Sequence, residues 1–135
     1  MAGTILLIDD ERVMRDGLNF MLSQSGDKVR AVPGGQQGLD RFAEGGIDLV
    51  LLDLSLPDMP GIEVLQRLKE ADPVARVIIL TGFAPNKPIL QEAAEIIFKP
   101  FRLEELLTVV NKHGNTVSDA MGLFELVKPL SAAKQ

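Results

Sequence analysis

The sequence predicts an α/β domain built on a doubly wound, five-stranded parallel sheet, and three observations support this fold class. Apolar runs of strand length at residues 4–8, 47–54 and 76–80 are rich in Ile, Leu and Val without alternating with polar residues, as is typical of strands buried on both faces. Weaker runs at residues 28–32 and 95–98 bring the predicted strands to five. Helical segments alternate with these strands, and right-handed crossovers then place helices on both faces of the sheet.

The predicted helices are supported by the spacing of apolar residues and by glycine and proline at their ends. Apolar side chains recur at helical spacing as Met14, Leu18, Met21 and Leu22 in the first helix and as Leu65, Leu68 and Ala71 in the third. The pairs Gly34–Gly35 and Gly45–Gly46 bound the second helix, and Asp72–Pro73 closes the third. Proline at positions 85 and 88 predicts that the fourth helix is brief or distorted.

Composition excludes several kinds of chemistry for this chain. Its 135 residues fit one domain, contain no cysteine and have a single histidine, His113, so disulfides, thiolate zinc sites and a conventional catalytic triad are excluded. We assign His113 to the C-terminal end of a helix. A net charge of −5 argues against nucleic acid or an anionic membrane as the main partner. With no signal-like leader and no apolar run of roughly 20 residues, we expect a cytoplasmic protein.

Turn residues after Lys112 predict that the compact domain covers residues 1–113 and that residues 114–135 form a tail. The tail has the pattern of an amphipathic helix or linker, with apolar residues on one helical face at Val117, Ala120, Met121, Phe124 and Val127. Thr116 and Asp119 match a capping box, and Pro129 would end the helix. The apolar face of such a helix requires a partner.

Polar residues follow the predicted strands at their carboxyl ends, where the functional crevice of an open α/β sheet lies. They are Asp9 and Asp10 after the first strand, Asp53 at the end of the third, Thr81 after the fourth and Lys99 after the fifth. Three carboxylates at one edge suit a hard cation, and Mg²⁺ in particular because it also recruits phosphate oxygens. A hydroxyl and an ammonium on the same edge are suited to a phosphoryl group, with a carboxylate as the nucleophile.

Each of these residues also has a structural explanation. Residues 9–11 are suited to cap the next helix, Thr81 to satisfy a backbone group at a strand end, and Lys99 to lie on the surface with its stem buried. Asp53 is harder to explain structurally, because an unpaired carboxylate in a buried strand costs several kcal/mol.

Four motifs resemble the response regulator receiver domain of two-component signalling. They are "ILLIDDE", "LVLLDLSLPDMPGIEVL", "VIILTG" and "FKPF", and the resemblance covers residues 4–112. It implies a flavodoxin-like sheet of strand order 2-1-3-4-5 and a phosphoacceptor domain that a histidine kinase or phosphotransfer protein phosphorylates. The implied roles are as follows: Asp53 is the phosphoacceptor, Asp10 binds Mg²⁺ directly, and Asp9 binds it largely through water.

The resemblance assigns the remaining site residues as well. Ser55 would offer its backbone carbonyl to the metal, Thr81 would hydrogen-bond the phosphoryl oxygen, and Lys99 would pair with Asp53 and then with the phosphoryl group. It further implies a cis Lys99–Pro100 peptide bond. Pro57 and Gly61 match the family's turn after the acceptor, where Gly61 would take backbone angles that other residues resist.

Two features depart from the family pattern. Ile96 occupies the position, three residues before the lysine, at which receivers usually carry an aromatic switch residue. The interval from Thr81 to Lys99 is also shorter than usual by roughly one helical turn. We therefore expect the output of this chain to use a different face.

Three functions compete on the sequence alone. The first is a phosphorylatable receiver that switches a partner, an output domain or a homodimer, and that performs only self-catalysed phosphoryl transfer and slow autodephosphorylation. The second is an interaction module with the receiver fold that acts without phosphorylation. The third is a metal-dependent phosphohydrolase or nuclease, which Ser55 disfavours because an aspartyl phosphatase motif has a second aspartate at that position.

Overall fold

A computed structural model of the protein describes residues 3–83 and 87–113. The elements follow the order of the predicted pattern: β1 (Thr4–Ile8), α1 (Arg12–Gln24), β2 (Lys28–Val32), α2 (Gly35–Ala43), β3 (Leu49–Asp53), α3 (Gly61–Ala71), β4 (Val77–Thr81), a 3-10 helix (Pro88–Glu92), β5 (Glu95–Phe98) and α4 (Leu103–His113). The predicted tail at residues 114–135, its capping box and Pro85 lie outside the described residues.

The five strands form one parallel sheet in the order β2-β1-β3-β4-β5, which confirms the predicted fold class and strand order. The sheet grows from β1 to β2 in one direction and from β3 to β5 in the other, so the switch point lies between β1 and β3. The carboxyl ends of these two strands therefore flank the crevice of a doubly wound sheet. Asp53, the last residue of β3, pairs in register with Leu80 of β4, and Thr81 pairs with Phe98 of β5. Residues from four strands are therefore brought to one edge.

Two apolar cores lie on opposite faces of the sheet. Alternate residues of β1, β3, β4 and β5 pack under α1 and α4, including Leu7, Leu51 and Leu80. The intervening residues, such as Leu6 and Leu52, pack under α2, α3 and the 3-10 helix. All residues of β3 and β4 are buried, which explains why these runs of sequence show no alternation of polar and apolar residues.

The connection from β4 to β5 differs from the other crossovers. Among its described residues the only helical element is the 3-10 helix Pro88–Glu92, which contains no buried residue. The prediction of a brief or distorted fourth helix is confirmed for this part of the chain. The structure thus has four α-helices in residues 3–83 and 87–113, and the fourth predicted helix is replaced by a 3-10 turn.

The helix assigned around His113 is confirmed, because α4 ends at this residue. The His113 ring contacts the Glu95 carboxylate, with 3.1 Å between Nε2 and Oε1. No helix within residues 3–83 and 87–113 is both long and apolar enough to cross a lipid bilayer.

Candidate phosphoacceptor and metal site

Asp53 lies at the centre of the carboxyl edge of the sheet and is only 4% exposed. Because β3 ends here, its side chain leaves the apolar core and reaches the crevice. Its Oδ1 accepts a hydrogen bond from the Ser55 backbone N–H at 2.9 Å, and its Oδ2 accepts one from the Lys99 ammonium at 3.1 Å. The buried carboxylate that the sequence left unexplained is thus paired with a cation.

Asp9 and Asp10 follow β1 and differ sharply in environment. Asp9 is fully buried, and its Oδ1 accepts the Glu11 backbone N–H at 2.9 Å. Its Oδ2 is buried without a hydrogen-bond partner, while Asp10 is exposed. Arg15 donates to the Asp9 carbonyl oxygen at 2.9 Å and so fixes the turn that carries both acids.

The three carboxylates of Asp9, Asp10 and Asp53, called here the acidic site, converge as the sequence predicts. One oxygen from each lies within 4.8 Å of the others, a spacing that one cation can bridge. Oxygen donors of this kind suit a hard divalent ion, and the unsatisfied Asp9 Oδ2 is a buried acceptor that a metal or its water would satisfy. The residues present therefore fit a divalent cation.

Lys99 supplies the positive charge of the site. Its Nζ lies 3.1 Å from Asp53 Oδ2, 3.6 Å from Asp9 Oδ2 and 3.6 Å from Glu11 Oε1. Burial opposes the charged form of Lys99, but the hydrogen bond to Asp53 and the surrounding carboxylates outweigh it and raise its pKa. The interpretation of Lys99 as a surface residue with a buried stem is therefore wrong.

Burial also disfavours the charged form of Asp9, and here it outweighs the favourable contacts. Loss of hydration is the main reason that the pKa of Asp9 is raised, and the hydrogen bond from Glu11 and the charge of Lys99 offset it only in part. The negative charges of Asp53 and Glu11 add to the increase. The folded chain thus holds Asp9 in an environment that disfavours its negative charge.

Thr81 is buried at the end of β4, where its hydroxyl oxygen accepts the Phe83 backbone N–H at 3.3 Å. This contact matches the structural explanation, in which the hydroxyl satisfies a backbone group at a strand end. The Thr81 carbonyl also accepts the Lys99 backbone N–H at 2.7 Å, which ties the two strand ends together. The residue therefore lies on the edge that carries Asp53 and Lys99.

Two details of the predicted site need correction, and a third is confirmed. The side chains of residues 9–11 do not cap α1. Glu11 occupies the N-cap position, but its side chain makes no cap hydrogen bond. Gly61 is not in a left-handed conformation; it is glycine because a Cβ would lie 2.4 Å from the Leu54 Cα. The Lys99–Pro100 peptide bond is cis, as the resemblance implies.

Sequence reasoning missed the contact made by Asp58 in the loop between β3 and α3. Its two carboxylate oxygens accept the backbone N–H groups of Gly35 and Gln36, each at 2.9 Å. The available signal was Gly34, which occupies the N-cap position of α2 without a side chain that could cap it. A helix that begins in this way needs its cap from elsewhere in the chain.

The fold and the site together define a CheY-type α/β domain with an acidic crevice at its topological switch point. Residues 5–111 match the family described as response regulator receiver domain, and the chain belongs to this family.

Similar proteins agree with this assignment. The chain is 36% identical to sporulation initiation phosphotransferase F of Bacillus subtilis (strain 168) over 118 residues, which cover 84% of this chain and 94% of that protein. It is 37% identical to the uncharacterized transcriptional regulatory protein YkoG of the same organism, covering 90% of this chain but only 57% of YkoG.

Solved structures of Thermotoga maritima response regulator TrrA give the same fold. TrrA in complex with Mg²⁺-BeF superimposes with a TM-score of 0.77 at 30% identity, covering 82% of this chain and 98% of TrrA. TrrA in complex with the histidine kinase ThkA gives a TM-score of 0.76, also at 30% identity, covering 82% of this chain and 97% of TrrA.

Proposed function

We propose that this receiver domain accepts a phosphoryl group on Asp53 in a Mg²⁺-dependent reaction and thereby switches its interaction with a partner. The observation that carries the proposal is the buried Asp53 carboxylate, hydrogen-bonded to Lys99 and within bridging distance of two further carboxylates. A buried carboxylate that is paired with one lysine and lies at the crevice of the sheet is suited to act as a nucleophile.

The acidic site would hold the cation through Asp10 directly, through Asp9 largely by way of water, and through one oxygen of Asp53. The Ser55 backbone carbonyl completes the proposed ligand set, since Ser55 already lies against Asp53 through its N–H. When bound, Mg²⁺ neutralises the charge that accumulates between the acceptor and the phosphoryl oxygens. Its affinity for oxygen donors and phosphate favours it over a transition metal in this site.

The reaction itself requires little from the protein beyond positioning and charge. An Asp53 carboxylate oxygen attacks the phosphorus of the donor, a P–O bond forms, and the bond to the donor breaks with its electron pair. Lys99, now paired with Asp53, transfers its hydrogen bond to a phosphoryl oxygen, and the Thr81 hydroxyl donates to another. Because the Thr81 hydroxyl oxygen only accepts a hydrogen bond from Phe83, its own hydrogen stays available for the phosphoryl group.

A histidine kinase or a phosphotransfer protein is the donor we propose, since the similar response regulator TrrA has been solved in complex with the histidine kinase ThkA. An apolar groove of about 430 Å³ lies next to Lys99 and is lined by α1 and the segment between β5 and α4, including Met14, Met21 and Phe101. Val13, on the rim of this groove, is 86% exposed. A donor that docks here would present its phosphoryl group close to Asp53.

The test is intact-mass analysis after incubation with acetyl phosphate and Mg²⁺. Wild type should gain the mass of one phosphoryl group, Asp53→Asn should gain none, and the exposed-residue control Asp16→Asn should behave as wild type. Excess EDTA should prevent the gain. A gain that survives Asp53→Asn would contradict the assignment of the acceptor.

The same experiment separates the receiver from the other functions. A single equivalent that decays slowly fits self-catalysed transfer and autodephosphorylation, whereas a phosphohydrolase would consume acetyl phosphate many times over. No gain in wild type would favour a phosphorylation-independent interaction module. Ile96, a half-buried aliphatic residue that packs into the core, and the short 3-10 helix are the observations that favour that second candidate.

We further propose that residues 1–113 act as the receiver in the cytoplasm and signal through an output domain, a second copy or a separate protein. The relative YkoG, of which the chain covers only 57%, supports the first arrangement. Size-exclusion chromatography of the full chain, with and without phosphorylation, distinguishes a homodimer from a monomer.

A further inference from the structure

The N-terminus of α2 is capped from a different part of the chain. Its N-cap residue, Gly34, has no side chain, and the first two backbone N–H groups of the helix donate to Asp58, 23 and 22 residues away. Both Asp58 oxygens are used although the residue is exposed. The hydrogen bonds from Gln36 and Gly35 hold the pKa of Asp58 below its usual value, so the capping form is the charged one near neutral pH.

Asp58 belongs to the β3–α3 loop, residues 54–60, which begins directly after the proposed phosphoacceptor. The loop is closed at its far end by the Gly61 N–H, which donates to the Leu54 carbonyl at 3.1 Å. At its near end the Ser55 N–H donates to Asp53 Oδ1. Asp58 is the point between these two contacts at which the loop is fixed to a neighbouring helix.

The packing around the cap shows how closely α2 and the loop approach one another. A Cβ on Gly35 would lie 2.6 Å from Met59 Cγ and 2.7 Å from Val64 Cγ2, and a Cβ on Gly34 would lie 3.2 Å from the Asp58 carboxylate oxygens. Two consecutive glycines therefore allow the first turn of α2 to rest on the loop. A helix capped by its own side chain would not need this approach.

We propose that Asp58 is a positioning residue that fixes the β3–α3 loop to α2 and so holds Ser55 in place against Asp53 for cation binding. This inference rests on the proposed function, because it concerns the same acidic site. The Asp58 carboxylate hydrogen-bonds Gly35 and Gln36 and neither Asp53 nor a proposed metal ligand, so it acts through the loop backbone.

The chain offers a way to separate positioning from helix capping. Asp58→Ala removes both functions. Adding Gly34→Ser returns a local cap to α2, because Gly34 has extended backbone angles (φ −144°, ψ 164°) typical of an N-cap. The carboxylate that a side chain at position 34 would crowd is absent from this double variant. The double variant thus restores the cap of the helix without fixing the loop.

Three measurements are made on wild type, Asp58→Ala and the double variant. They are the midpoint of urea unfolding, the Mg²⁺ dissociation constant by calorimetry, and the hydrogen-exchange rate of the Ser55 amide by NMR. Asp72→Ala is the matched control, since its carboxylate also accepts a backbone N–H, that of Val74, in a turn after α3. It should leave Mg²⁺ affinity and Ser55 exchange unchanged.

We expect Asp58→Ala to weaken Mg²⁺ binding by about tenfold, the lower end of the effect of residues that orient metal ligands. Ser55 exchange should accelerate, and unfolding should shift to lower urea. In the double variant the unfolding midpoint should recover while Mg²⁺ affinity and Ser55 exchange stay impaired.

Recovery of all three quantities in the double variant would overturn the proposal, because it would show that Asp58 only stabilises α2. Wild-type Mg²⁺ affinity and Ser55 exchange in Asp58→Ala would also overturn it. If wild type itself binds no Mg²⁺ and accepts no phosphate, the proposed function fails instead, and Ser55 exchange alone then decides whether Asp58 holds the loop.

Discussion

Replacing Asp9 with Asn should stabilise the metal-free protein, and the structure indicates by how much. Asp9 is fully buried, and its Oδ2 accepts no hydrogen bond. Burial raises its pKa despite the Lys99 charge 3.6 Å away, so the ionised carboxylate is disfavoured in the folded state. An Asn side chain keeps the oxygen that accepts the Glu11 N–H and carries no charge into this environment.

The expected gain follows from removal of a desolvated charge, because the Asn Nδ2 that replaces Oδ2 is polar but uncharged; a shift of one pKa unit corresponds to about 1.4 kcal/mol. Loss of the attraction to Lys99 offsets part of it, so we expect Asp9→Asn to raise the free energy of unfolding by about 1 kcal/mol. In a domain of this size that corresponds to a rise of roughly 5 °C in the unfolding midpoint.

The pH dependence has a defined sign. Because the folded pKa of Asp9 lies above its ordinary value of 3.8, the folded state binds this proton more tightly than the unfolded state. The penalty on wild type is fully present above the folded pKa and disappears as the pH falls through it toward 3.8. The stability difference between variant and wild type should therefore be largest near neutral pH and shrink in acid.

Urea unfolding in EDTA, repeated with Mg²⁺, measures these effects. At a Mg²⁺ concentration of ten times its dissociation constant, binding stabilises the folded state by about 1.4 kcal/mol, and we expect this increment in wild type but a smaller one in Asp9→Asn. Asp10→Asn, an exposed neighbour, is the control and should change metal-free stability by no more than about 0.5 kcal/mol. A metal-free Asp9→Asn protein that is less stable than wild type would refute the reasoning.

Three further predictions concern Lys99 and the glycines. Lys99→Met leaves buried carboxylates without their cation and should lower metal-free stability by about 3 kcal/mol, with Mg²⁺ recovering part of the loss; unchanged urea midpoints would contradict this. Because the pKa of Lys99 is raised, wild-type stability should fall as the pH rises above 10.5, and Lys99→Met should lack this decline in pH-dependent unfolding. Gly61→Ala, which forces a Cβ against the Leu54 backbone, should cost about 3 kcal/mol in thermal unfolding. The control Gly17→Ala, with nothing within 4 Å, should instead gain about 0.5–1 kcal/mol.

The boundaries of three strands were predictable from apolar runs in the sequence, and those of two were not. Residues 4–8, 28–32 and 95–98 are strands as predicted. The third strand is shorter than its apolar run, because it begins at Leu49, after Asp48 has bonded to Thr4. The fourth extends to Thr81, whose pairing with Phe98 is a tertiary contact that a search for apolar runs does not detect.

The meeting of the acids at one edge was predictable, but their individual environments were not. Parallel strands bring their carboxyl ends together whatever their side chains, so Asp9, Asp10, Asp53 and Lys99 could be placed from the strand pattern alone. The contrast between buried Asp9 and exposed Asp10 depends on the turn that Arg15 fixes. The Asp58 cap joins residues more than 20 positions apart. Its only local signal in the sequence is Gly34, a glycine at the N-cap position of α2, where a residue with a capping side chain is usual.

The buried oxygen of Asp9 connects stability with metal binding. A chain that needed only stability at this position would gain from a neutral side chain, since the charge is desolvated and one oxygen is unsatisfied. A cation at the acidic site would remove that penalty, because it offers the missing partner and offsets the repulsion from Asp53. Substitutions of Asp9 that remove the cost of its buried charge should therefore also weaken metal binding. Among variants of Asp9, the stability measured in EDTA and the affinity for Mg²⁺ should vary in opposite directions.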